Sequence, residues 1–104
     1  MRFDFDPEKS RANGAKHGID FDAAQALWND PDYVEFPARS RTEPRFQVIG
    51  RIVGTGGTWT LWSAFITYRY DSNTHERICR LISVRKARRN EARAYLERGE
   101  APDR

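Results

Sequence analysis

Arg80 and Arg85 lie within a stretch, Arg77 to Arg98, that carries eight basic side chains. Guanidinium groups gathered in this way can grip phosphate oxygens in bidentate fashion. A rigid frame is needed to aim them. The pattern predicts a strand over Arg77 to Val84, with Ile78, Leu81, Ile82 and Val84 as its buried part, and a helix over Lys86 to Glu97. Arg85 then sits at the junction. A strand end feeding a helix leaves backbone donors and cationic heads toward solvent, which suits a phosphate-bearing partner. Nucleic acid is the partner this indicates. Taken singly, Arg88, Arg89 and Arg93 also fit an ordinary solvated helix face.

Other chemistries find less support. Cys79, His17 and His75 are too few and too scattered for a recognisable metal site. The acidic pairs Asp4/Asp6 and Asp30/Asp32 read as helix caps and turns, so neither a metal nor a cofactor is expected. Thr55-Gly56-Gly57 is not a phosphate loop, because it lacks the following Lys-Ser/Thr and joins two strands. Ser83 has neither a glycine elbow nor an evident His partner, and its expected role is to cap the last helix.

The remaining elements follow from local signals. Phe3 and Phe5 suggest a short first strand that ends at Asp6-Pro7, where Asp can cap and Pro can open a helix. That helix should run to about His17, with Gly18 as its left-handed terminator. Asp20 can cap a second short helix carrying Ala23, Ala24, Leu27 and Trp28, which completes a helical hairpin. From Tyr33 the period becomes two. Tyr33 to Phe36, Arg45 to Val53, Thr58 to Arg69 and Arg77 to Val84 then form an antiparallel meander before the terminal helix. The expected class is α+β.

A chain of 104 residues with 38% hydrophobic and 32% charged content makes one domain with a thin core. That domain should span 1–98, with 99–104 a disordered tail. Charge is polarised: positions 1–35 hold four basic and eight acidic residues, and 77–104 hold nine basic and four acidic. Such polarity can steer a polyanion to one side and a basic partner to the other. A lone cysteine, no apolar run near eighteen residues and no signal-peptide core lead to the expectation of a cytoplasmic protein that does not enter the membrane.

Phe5-Asp6-Pro7, Asn13, Lys16-His17-Gly18 and Phe21 resemble the opening of BrnT toxins. The resemblance continues through Glu43, Arg45, Ile49-Gly50, Thr67 and Arg69. It then takes in Arg80, Leu81, Ile82, Ser83, Arg85, Lys86, Ala87, Glu91 and Tyr95, so that nearly the whole chain is covered. It implies a RelE-like fold and a ribonuclease toxin that blocks translation. It also implies neutralisation by a BrnA-type antitoxin in a 2:2 heterotetramer, with operator DNA bound only through the antitoxin. There are three departures. Phe5 stands where tryptophan is common, Pro44 replaces an acidic residue, and Tyr70 to Glu76 lengthens the hairpin before the last strand, so Arg77 does not align.

Metal-free RNA cleavage requires attack of the 2′-hydroxyl on its neighbouring phosphate, with a base, an acid and cations that stabilise the added charge. Arg80 and Arg85 are the leading cations. His17, Glu43 and Tyr95 complete the catalytic set, with Lys16 and Tyr68 as further proton-transfer candidates. Lys16, Arg45, Arg69, Arg77, Lys86, Arg88 and Arg89 are assigned to RNA binding. The plainer readings are a His17 that bonds helix carbonyls, Arg45 and Arg69 stems that cover the sheet, and a Glu91 paired with Arg88 or Arg93 on its own helix. Tyr95 is expected to pack against the sheet, and Trp59, Trp62 and Phe65 to serve the core or an antitoxin contact more than base stacking. The alternative function is a non-catalytic module that docks an acidic protein or nucleic acid.

Overall fold

A computed structural model of the chain describes residues 1–98, so the expected tail at 99–104 lies outside the described residues. The elements run β1 (Arg2–Asp4), α1 (Pro7–His17), α2 (Phe21–Ala24), a 3-10 turn (Gln25–Asn29), β2 (Val34–Ala38), β3 (Arg45–Val53), β4 (Trp59–Tyr70), β5 (Arg77–Lys86) and α3 (Arg89–Glu97). This is the expected α+β class. The four long strands form the meander, each antiparallel to the next. β1 adds to the free edge of β5 in parallel, with Phe3 opposite Cys79, so the five-stranded sheet is mixed.

The helical hairpin begins and ends where its caps dictate. Asp6 accepts the N–H of Glu8 at 2.9 Å with Pro7 following, and Gly18 closes α1 at φ 78°, where a side chain would be strained. Asp20 caps α2 by accepting the Ala23 N–H at 2.8 Å. Together these elements press Phe21, Ala24 and Leu27 onto Val48, Ala64, Leu81 and Val84 of the sheet. Burial of the larger of these, Phe21, Leu27, Val48, Leu81 and Val84, contributes about 1.5–3 kcal/mol each. Phe3 and Phe5 flank the same core and meet Trp28 and Phe21 edge-on.

Gly50 is where β3 passes closest to this cap. A Cβ there would meet Leu27 Cδ2 at 3.0 Å, Tyr33 Cβ at 3.1 Å and Asp30 Oδ2 at 3.3 Å. Gly50→Ala should therefore cost about 1–3 kcal/mol by overpacking. Urea midpoints would show it, and an unchanged midpoint would mean that the hairpin yields freely.

The last strand and helix differ from the sequence expectation. β5 continues to Lys86 because Arg85 and Lys86 pair with Ser63 and Trp62, and α3 starts only at Arg89. A register shift also lies between Phe65 and Ile66: Phe65 faces Ser83 and Ile66 faces Leu81, so Ile82 is the extra residue of a bulge. In an unbroken strand, Arg80 and Arg85 would point to opposite faces. The bulge resets the alternation, so Leu81 and Val84 both enter the helical-side core. Arg80 and Arg85 then share the other face.

Candidate nucleic-acid interface

That other face is covered only in part. α3 lies over its upper end, above Gln47, Ile49 and Ser63, all of which are buried. The rest is an open groove in two adjoining clefts. The upper cleft, of about 550 Å³, is framed by Arg39, Arg45, Phe65, Ser83, Arg85 and Arg88. The lower, of about 170 Å³, is framed by Lys9, Glu43, Arg45, Arg69 and Arg80. Arg45 and Ile82 border both.

The carboxylate that organises the upper cleft is Glu91. Arg85 grips it in a fork, Nη1 to Oε1 at 2.7 Å and Nη2 to Oε2 at 2.8 Å. Gln47 Nε2 donates to Oε2 at 2.7 Å, while Ser63 Oγ and the Arg88 backbone N–H donate to Oε1 at 3.0 and 2.8 Å. Burial alone would raise the Glu91 pKa. The Arg85 hydrogen bonds and charge, the Arg88 N–H and Gln47 outweigh it and hold the group down at about 2. Glu91 is thus an ionised anchor that ties α3 to the sheet and orients Arg85 over the Phe65 ring, 5.2 Å from its centroid.

This corrects three expectations. Glu91 pairs with Arg85 across elements and not with Arg88 or Arg93 along its own helix, because the strand end projects Arg85 beneath the first turn of α3. Arg85 is consequently a partly buried, paired guanidinium. Ser83 lines the cleft instead of capping α3, whose N-cap is Arg88, with the capping hydrogen bond supplied by Glu91 reaching back.

In the lower cleft Arg80 is ion-paired with Asp4, its cross-strand neighbour on β1, and Arg69 Nη2 lies 3.7 Å from Glu43. The structure therefore brings Arg45, Arg69, Arg80, Arg85, Arg88 and Glu43 to one face. It does not bring His17 or Tyr95 into either cleft. His17 and Lys16 end α1 on the helical side and line neither cleft. Tyr95 is 2% exposed, and its hydroxyl donates to Asp30 Oδ2 at 2.7 Å. Burial, then the hydrogen bond to Asp30, raises its pKa. Arg77 stacks on Tyr68, 4.2 Å from the ring centroid, at the uncovered end of the helical side. Tyr68 itself donates to Glu35, and burial first, then that carboxylate, raise its pKa. Lys86 and Arg89 are exposed outside both clefts. Trp62 belongs to the core, whereas Phe65 faces the upper cleft and Trp59 is half exposed beside Arg51.

Sequence reading missed Arg39 and Gln47 in the upper cleft and Lys9 in the lower. Gln47 was within reach, since period-two alternation places it on the face of Arg45. Arg39 follows β2 and Lys9 sits in the first turns of α1, so only the folded arrangement brings them to the groove.

An α+β sheet with one face closed by a helical hairpin and the other open as an arginine-lined groove defines a small basic domain equipped for a polyanion. Residues 5–91 match the family described as "Ribonuclease toxin, BrnT, of type II toxin-antitoxin system". The chain belongs to that family, and as a ribonuclease toxin of a type II system it has an antitoxin for its partner. A search of curated proteins gives no match. Among the described residues no helix is long and apolar enough to cross a membrane.

Proposed function

We propose that the two clefts form an RNA-binding groove in which the chain is cut without a metal ion. The convergence of Arg45, Arg69, Arg80, Arg85 and Arg88 on one open sheet face carries this reading. The 2′-hydroxyl gives up its proton and attacks the adjacent phosphorus, the bond to the 5′-oxygen breaks, that oxygen takes a proton from solvent to leave as a 5′-hydroxyl, and a 2′,3′-cyclic phosphate results. The groove's cations stabilise the charge that accumulates on the phosphoryl oxygens. Glu43 is the proton-transfer candidate that lines the groove, and it is our choice for the base that takes the 2′-hydroxyl proton. The metal-free route asks only for proton transfer and for cations beside the phosphate, and the groove is lined by groups of both kinds.

The partner in this reading is a BrnA-type antitoxin that covers the groove in a 2:2 complex and alone contacts operator DNA. The toxin is a single cytoplasmic domain over residues 1–98. The test is incubation of the purified toxin with RNA in excess EDTA. Cleavage should persist and should fall by about 10–100-fold in Arg80→Met, as expected when one charge-assisted phosphate contact is removed. RNA left intact in EDTA and cut when Mg²⁺ is restored would overturn the metal-free mechanism.

A further inference from the structure

Three of the groove's arginines are already matched by carboxylates: Arg69 by Glu43, Arg80 by Asp4 and Arg85 by Glu91. Asp6, the remaining acid of the lower cleft, is occupied in capping α1. Arg45 differs from these. It has no ion pair among the described residues, and its Nε–H is buried without a hydrogen-bond partner. A buried polar donor is normally satisfied, and one left open marks either strain or a missing ligand. The position is well fixed. Arg45 begins β3 opposite Ala38, and the preceding Pro44 carbonyl accepts a 2.8 Å hydrogen bond from Thr67 Oγ1 on β4. It is also the arginine that lines both clefts.

We propose that Arg45 seats a phosphate of the bound RNA at the junction of the clefts, its side chain turning so that the Nε–H, buried in the free protein, and an adjoining Nη–H form a fork on two phosphate oxygens. This rests on the ribonuclease reading of the groove and adds the division of labour within it. Arg45 supplies a charge without an ion pair and the unpartnered donor, which together anchor the backbone. Arg80 and Arg85, held by their carboxylates, act as fixed flanks. A guanidinium with no ion pair can bind an anion without first breaking one, and of the groove arginines in that condition among the described residues, Arg39, Arg45 and Arg88, it is Arg45 that has the unpartnered Nε–H and lines both clefts, so the strongest single phosphate contact belongs to Arg45.

The test measures thermal midpoints of the full chain in phosphate, chloride and acetate at equal ionic strength, for wild type, Arg45→Met, Arg45→Lys and Arg80→Met. Phosphate stabilises any protein slightly through exclusion from its surface, so the readout is the part of the shift that depends on Arg45. That part should vanish in Arg45→Met, shrink in Arg45→Lys, which keeps the charge but loses the fork, and largely survive in Arg80→Met. In chloride the Arg45→Met midpoint should equal or exceed that of wild type, because an unsatisfied donor has been removed.

A second measurement uses a 2′-O-methyl RNA oligonucleotide, which cannot be cleaved. Arg45→Met should bind it about 10–100-fold more weakly, with a salt slope smaller by about one. Four results would each overturn the proposal: a full phosphate shift in Arg45→Met, no phosphate-specific shift in wild type, an equal shift with acetate, or failure of Arg45→Met to fold. If the shift depends on Arg45 but wild type leaves RNA uncut, the anchor stands and the ribonuclease reading of the groove fails.

Discussion

Glu91→Ala should lower the unfolding free energy by about 3–5 kcal/mol, the range seen when one member of a buried ion pair is removed. Glu91 is 5% exposed and satisfies Arg85, Gln47, Ser63 and the Arg88 N–H at once. Its loss leaves a half-buried guanidinium without a counter-charge, two buried side chains without their acceptor, and α3 without its N-terminal tie. Set against a typical total of about 5–15 kcal/mol, this brings the domain close to unfolding. Arg85→Ala should be nearly as damaging, since it strands the Glu91 carboxylate instead. Replacing both with methionine should recover much of the loss, because the desolvation cost of both charges disappears with them. Guanidinium titrations of the two single variants and the double variant form the cycle. A single-variant loss below about 1 kcal/mol would show that the pair is solvated and that α3 is held by other contacts.

The same pair sets an acid limb. The Glu91 pKa lies at about 2 in the fold, against an ordinary 4.5. A lowered folded-state pKa means that the unfolded chain takes up the proton first as pH falls. The contribution is fully present above the unfolded value and fades as pH drops through the folded one. At about 1.36 kcal/mol per unit the amount is about 3 kcal/mol, lost between roughly pH 5 and pH 2. Asp30 works in the same direction. Burial opposes ionisation there, but the N–H groups of Arg51 and Asp32 and the Tyr95 hydroxyl lower its pKa. In Glu91→Gln the limb should flatten and keep the parts that Asp30 and Asp71 supply. An unchanged slope would place the acid sensitivity elsewhere. Loss of RNA cleavage in an Arg85 variant is thus interpretable only beside a folding measurement.

Caps, turns and alternation carried much of the fold, and for a physical reason. Asp6-Pro7, Gly18 and Asp20 act within a few residues of themselves, and β3 spans Arg45 to Val53 as its pattern predicts. What stayed hidden depends on partners distant in sequence. The bulge at Ile82 arises from pairing with Phe65 and Ile66, and no local signal marks it. Glu91 has Arg88 and Arg93 close by along the chain, yet its side-chain partners come from β3, β4 and the end of β5, and Arg88 offers it only a backbone N–H. Basic content identified the groove's charge but not which guanidinium groups are paired, since Asp4, Glu43 and Glu91 reach the arginines only through the fold. Tyr95 and His17 entered the candidate set because their chemistry is versatile. Versatility says nothing about where the fold places them.

Asn13→Ala should cost about 2–4 kcal/mol, although the sequence marks Asn13 only as one residue of the family resemblance. β1 covers the outer edge of β5 only from Ile78 to Arg80, so the strand runs on to Lys86 with that edge unpaired. Asn13, 8% exposed on α1, fills part of the gap. Its Nδ2 donates to the carbonyls of Val84 and Ile19 at 2.8 Å each, and its Oδ1 accepts the Val84 N–H at 3.1 Å. A planar side-chain amide thus stands in for one peptide of a neighbouring strand, and it also fastens the turn after α1 to the sheet. Alanine would leave the Val84 N–H and two carbonyls buried without partners, each costing about 1–3 kcal/mol before relaxation or water entry. Asn13→Asp should be worse than alanine near neutral pH, because a carboxylate would face two carbonyl oxygens and could serve only the Val84 N–H. Urea unfolding ranks the three proteins, and amide exchange at Val84 locates the effect. Faster exchange there, ahead of the rest of β5, is expected in Asn13→Ala. A midpoint within about 0.5 kcal/mol of wild type would mean that water replaces the amide at no cost. Val84 immediately precedes Arg85, so loosening at this edge should also relax the fork on Glu91. Asn13→Ala and Arg85→Met should then be less than additive in a double-variant cycle, although Asn13 lies on the opposite side of the sheet from the groove.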